Sequence, residues 1–185
     1  MRSFLTKITE RSSFSGLMVL WVISAITMYL MFNPASPWFA IIDTVPVAPP
    51  ETTPGLATGP VFQFLSVLSA EQQGTYLYMH GIDALYYFTL GAALLALFGL
   101  VIRRFGWAAS PMLWVLILPI ALVVFESLES ISLLASMFLL PTRIEPLLWM
   151  AEIATAGKMV SYLVALVFFG LAVLLLPVSL FVKRT

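Results

Sequence analysis

The segment 76-YLYMHGIDALYYFTLGAALLALFGLVIR-103 carries one acidic residue, Asp83, and no basic one before its closing arginine. It is longer than the ~20 residues that cross a hydrocarbon core ~30 Å thick. Three further apolar runs stand beside it: Phe14 to Phe32, Pro111 to about Leu140, and Gly157 to about Val182. The chain as a whole is 61% hydrophobic and 10% charged, with a mean hydropathy of +1.03. This pattern predicts an all-α fold, an integral membrane four-helix bundle with spans over about 14–32, 76–104, 111–140 and 157–182. The 185 residues leave room for one transmembrane domain and no separate soluble one. The first run is longer than the ~7–15 residues of a signal-peptide core. Asn33-Pro-Ala-Ser-Pro37 after it is a poor cleavage site, so the run reads as a retained signal anchor.

Basic residues orient the spans. Arg2, Lys7 and Arg11 precede the first, Arg103 and Arg104 follow the second, and Lys183 and Arg184 follow the fourth. Between Arg11 and Arg103 there is no Lys or Arg. The positive-inside rule then predicts a multi-pass protein of the plasma (inner) membrane with both termini cytoplasmic. The outer loop from Asn33 to Ser69 holds Pro34, Pro37, Pro46, Pro49, Pro50, Pro54 and Pro60. It is expected to be extended and largely irregular. Val61 to Leu68 is expected to lie on the outer surface or cap the bundle. Ser69-Ala-Glu-Gln72 has capping-box spacing and predicts a helix start. Thr142-Arg-Ile-Glu145 has it too, and predicts a short interfacial helix through Trp149 and Glu152. Pro119 is expected to kink the third span. Gly91, Gly99, Gly157 and Gly170 suit close helix packing. Trp38, Trp107, Trp114 and Trp149 fit an interfacial belt.

A net charge of zero argues against a nucleic-acid partner. The absence of cysteine removes disulfides, thiol nucleophiles and thiolate-bound zinc. There is no phosphate loop, nucleophile elbow or histidine pair, and one histidine makes a poor zinc set. No cofactor and no metal are therefore expected. Four ionisable side chains interrupt the apolar spans: Asp83, Glu126, Glu129 and Lys158. Each costs about 2.5–3.5 kcal/mol near the bilayer centre on insertion scales, and such groups mark functional sites. At 1.5 Å per residue, Asp83 lies about 30 Å from the inner edge, Glu126 about 22 Å and Glu129 about 27 Å. Lys158 enters the fourth span at its outer end. The four converge on the outer third of the bilayer, with His80 just above them and Tyr87 and Tyr162 within a turn. Glu126, Glu129 and Ser130 share one helix face, as do Asp83 with Tyr87 and Lys158 with Tyr162. Three carboxylates facing one ammonium cannot all stay ionised at low dielectric, and such a pocket can hold a proton, a metal ion or an organic cation. The same charges can also act as a clamp that sets helix register.

Three stretches, Asp83-Ala-Leu-Tyr86, Phe125-Glu-Ser-Leu-Glu-Ser130 and Thr155-Ala-Gly-Lys158, resemble the pattern of a group of small prokaryotic four-helix membrane proteins. That pattern is Asp-x-x-aromatic, Phe-Asp-x-x-Glu-Asn and Thr-x-x-Lys. Glu126 stands where the group has Asp, and Ser130 where it has Asn. The resemblance covers Tyr76 to Leu176 and implies that these residues act together; the group brings no assigned activity. A looser likeness is to emopamil-binding and sigma-receptor type proteins, whose intramembrane acids engage amines or protonate a sterol double bond.

The leading expectation is an outward-facing intramembrane acidic pocket that binds a small cation or an amphipathic, lipid-like ligand. Its expected residues are Asp83, Glu126, Glu129, Lys158, His80, Tyr87, Tyr162 and Ser130. Two alternatives stand beside it. One is an accessory subunit or assembly factor with a membrane-protein partner; the other is a lipid-type isomerase using a carboxyl acid and base.

Overall fold

The computed structural model describes residues 1–50 and 57–178. They are all-helical, and four of the helices are long and apolar enough to cross a membrane. Pro54 and Gly55 of the outer loop, the expected end of the fourth span at Val182, and Lys183 and Arg184 lie outside the described residues. The helices are α1 (Arg2–Arg11), α2 (Phe14–Phe32), α3 (Pro37–Thr44), α4 (Thr58–Val67), α5 (Ala70–Arg104), α6 (Ile117–Phe138) and α7 (Glu145–Val178).

Helix α5 is the central element and packs against α1, α2, α3, α6 and α7. Its start is the expected capping box: Ser69 Oγ accepts from the Gln72 amide at 3.2 Å, and Gln72 Oε1 accepts from the Ser69 amide at 2.8 Å. Ser24 Oγ donates to Thr89 Oγ1 at 3.0 Å, linking α2 to α5 inside the apolar layer. The other spans turn broad apolar faces outward, including Val19, Val22 and Ile26 of α2 and Leu163, Val167 and Leu174 of α7. At one end Arg103 Nη1 donates to the Glu10 carbonyl at 3.0 Å, and the Arg2 guanidinium donates to the Ala109 carbonyl. At the other end Gln72 Nε2 donates to Thr44 Oγ1, and Arg143 Nη2 to Thr58 Oγ1, both at 3.0 Å.

Several local expectations change. The 33–69 connection is not simply extended: α3 and α4 are helical, and among its described residues 45–49 form the main irregular stretch. Two signals account for this. Ser36 caps α3 by accepting from the Trp38 amide at 3.3 Å, with Pro37 tolerated in the first turn. Val61, Phe64, Leu65 and Leu68 recur at helical spacing and are buried in one cluster with Leu133 and Leu148, so α4 packs against α6 and α7. The anticipated separate helix through Trp149 and Glu152 is the first part of α7. Nothing from Leu147 to Ala156 breaks a helix, and Leu148, Ala151 and Thr155 continue the buried stripe toward Lys158. Pro119 falls in the first turn of α6, and the change from the 3₁₀ stretch over Pro111–Leu116 to α-helix comes just before it.

The expected close packing holds at three of the four glycines. A Cβ on Gly91 would lie 2.5 Å from a Val123 methyl, and one on Gly157 would lie 2.6 Å from the Phe125 ring. One on Gly99 would strike Ser12, whereas Gly170 faces open space. The substitution Gly157→Ala should therefore destabilise the detergent-solubilised protein by about 1–3 kcal/mol through overpacking. Gly170→Ala should leave the thermal midpoint unchanged or slightly raised, which a melting series on the two variants checks.

Candidate functional site

Each of three helices contributes one polar face. His80, Asp83 and Tyr87 lie at i, i+3 and i+7 on α5; Glu126, Glu129 and Ser130 at i, i+3 and i+4 on α6; Thr155, Lys158 and Tyr162 at i, i+3 and i+7 on α7. Helices α6 and α7 run antiparallel, so stepping three residues along one is matched by three back along the other. Glu126 consequently meets Lys158, and Glu129 meets Thr155.

The contacts form a continuous chain. His80 Nδ1 lies 3.1 Å from Ser130 Oγ, and Ser130 Oγ donates to Glu126 Oε1 at 2.9 Å. Lys158 Nζ donates to Glu126 Oε2 at 2.9 Å and also to Glu129 Oε2. The Thr155 hydroxyl donates to Glu129 Oε1. Glu126 is 1% exposed, Glu129 0% and Lys158 5%, so the double ion pair is removed from solvent on every side. The ammonium also lies 5.0 Å from the Tyr87 ring centroid, within cation–π range.

Beside this chain is a cavity of about 320 Å³. Its polar lining is His80, Asp83, Tyr87, Lys158 and Tyr162; its apolar lining is Met31 and Phe32 of α2, Trp38 of α3, Met79 of α5 and Met159 of α7. Glu126 stands behind this wall: one ligand atom each from His80, Asp83 and Glu126 lie within 4.8 Å of one another. His80 is held edge-on to Tyr76, with ring centroids 4.4 Å apart, and Tyr76 in turn packs against Phe64 and Trp38.

All eight residues singled out in the sequence fall in this region. His80, Asp83, Tyr87, Lys158 and Tyr162 line the cavity, while Glu126, Glu129 and Ser130 belong to the bonded chain behind it. Tyr78, by contrast, points outward and is 61% exposed. The turn that starts α3 places Trp38 on Tyr76 and in the cavity wall. The methionine and Phe32 walls were not legible in sequence, because they depend on which face each helix turns to its neighbours. In sequence Thr155 is marked only by the resemblance carried by Thr155-Ala-Gly-Lys158. Glu152, expected at the interface, is 2% exposed, and its Oε2 has no hydrogen-bond partner among the described residues.

No family model matches this chain, and neither a curated protein nor a solved structure matches it. Removing one partner of a buried ion pair strands the other charge, at a cost of about 3–5 kcal/mol. Lys158→Met should thus lower the thermal midpoint sharply. The triple variant Lys158→Met/Glu126→Gln/Glu129→Gln should recover most of the loss, because no uncompensated charge remains in the ion-pair layer. Thermal unfolding of both variants in one detergent measures the difference.

Proposed function

We propose that this is a multi-pass membrane protein whose four spans form one bundle with both termini in the cytoplasm, and that the cavity binds a small cation or a cationic amphipathic ligand on the outer side. The cavity itself carries the reading. Its lining includes Asp83, with Glu126 just behind it, its walls are aromatic and thioether-rich, and its volume suits a small molecule. Asp83 and Glu126 would attract the positive end, and Trp38, Tyr87 and Tyr162 would offer ring faces to it. Lys158 balances Glu129 and keeps the acidic layer soluble in a low-dielectric surrounding. The orientation rests on Arg2, Lys7, Arg11, Arg103 and Arg104, which gather at the end of the helices away from α3 and α4.

A hydrophobic organic cation such as tetraphenylphosphonium is the direct probe. Asp83→Asn should weaken its binding by at least about tenfold, one opposite charge in a poorly screened site being worth more than ~1.4 kcal/mol. The exposed Tyr78→Phe should leave it unchanged. Equal affinity for Asp83→Asn and wild type, measured by equilibrium dialysis in detergent, overturns the reading. Orientation has its own test, since the chain contains no cysteine to remove. A membrane-impermeant maleimide should label Glu71→Cys in intact cells, and Lys7→Cys only after the membrane is opened.

A second reading is supported by the bonded chain from Thr155 to His80. Such a chain can carry a proton between Glu129 and the cavity side, as a lipid-type isomerase with a carboxyl acid and base would require.

A further inference from the structure

The geometry points to a divalent first-row transition-metal site formed by His80, Asp83 and Glu126, with Ser130 as the residue that orients the imidazole. This deepens the cation-pocket reading and rests on it. One histidine alone made a poor zinc set in the sequence. The fold changes that assessment by bringing two carboxylates, one from the same helix and one from the next, to the same imidazole.

Three observations support the site. First, ligand atoms of the three residues lie within 4.8 Å of one another. Zinc–ligand bonds of about 2.0–2.2 Å place tetrahedral ligands about 3.4 Å apart, so a modest inward rotation of the side chains closes the set. Second, the hydrogen-bond order assigns the imidazole tautomer. Ser130 gives its only proton to Glu126 Oε1, so its oxygen accepts from His80, and Nδ1 carries the hydrogen. Nε2 is then the unprotonated nitrogen, the form that ligates a metal. An outer hydrogen bond that fixes a ligand imidazole in this way is the usual support of a metal site. Third, His80 and Glu126 are 5% and 1% exposed while His80 and Asp83 line the cavity, so an ion entering there meets ligands already withdrawn from solvent. Glu126 need not release its partners, because a carboxylate offers about four lone-pair sites and Ser130 and Lys158 occupy two.

The mixed nitrogen and oxygen set selects the class of ion. Imidazole favours zinc, iron and their neighbours over magnesium or calcium, which take oxygen ligands. His80 and Asp83 both line the cavity, which provides the route of entry and room for coordinated water.

Zinc chloride, titrated into chelator-stripped protein in detergent against a competing zinc dye, is the test. Wild type should bind one ion per chain. Ser130→Ala should weaken binding by about 10–100-fold, and His80→Gln and Asp83→Asn by more. Glu152→Gln, which alters a buried carboxyl outside the set, should bind as wild type does. Circular dichroism and melting curves show which variants remain folded, and only those are scored. Absence of zinc binding to wild type, or affinity that survives both His80→Gln and Asp83→Asn, overturns the site. Tetraphenylphosphonium measured on the same samples separates the two readings. Its Asp83-dependent binding without zinc binding removes the metal site and leaves the cation pocket, and failure of both probes removes both.

Discussion

The ammonium of Lys158, held between Glu126 and Glu129, is the constraint on which the rest of the arrangement depends. Each of these groups alone would be costly in an apolar layer, and their mutual attraction offsets that cost only when the geometry is close and the remaining lone pairs are satisfied. Both conditions are met. Ser130 and Thr155 supply hydroxyl hydrogens to the two carboxylates, and the ammonium is within hydrogen-bonding distance of both. The pairing sets the register of α6 against α7, since sliding either helix by one residue would turn a charge toward the apolar surround. The close approach it needs is possible because Gly157 has no side chain where the Phe125 ring lies.

Around this pair the helices divide their tasks. Helix α5 is buried along much of its length and brings His80 and Asp83 to the same level as the ion pair. Helix α2 has a largely exposed apolar surface, but its last turn supplies Met31 and Phe32 to the cavity. The short α3 packs against α5 and α4 against α6 and α7, and the Trp38–Tyr76–Phe64 stack ties them to α5 beside His80. The other end is held differently. There, two arginines reach backbone carbonyls across the junction of α1, α5 and the 3₁₀ turns. One end therefore carries Arg2, Arg11, Arg103 and Arg104, and the other carries the cavity, together with Arg143 bonded to Thr58 of α4.

The cavity combines features that serve different ligands. Its thioether and aromatic walls are adaptable and polarizable, and its polar lining includes Asp83, His80 and Lys158. A fully apolar pocket would not hold a charged group, and a fully ionised one would be unstable at low dielectric. The ion pair eases this conflict: Lys158 is bonded to both Glu126 and Glu129, and Asp83 is the carboxylate that lines the cavity.

Composition and charge spacing alone determined the four apolar helices, the capping box before α5, and the level at which Asp83, Glu126, Glu129 and Lys158 gather. These follow from helix rise and period, which depend only on neighbours along the chain. The same local rules did not reveal α3, whose helical signal was hidden among prolines, or the continuity of α7 through Glu152, and they marked Val61 to Leu68 only as a surface or capping segment. They also could not say which wall faces which. That Ser130 sits between His80 and Glu126, that Thr155 meets Glu129, and that methionines from three helices line one cavity were decided by tertiary structure. The physical reason is that a helix sequence specifies its faces but not the rotation and pairing of those faces, which depend on packing against the other helices.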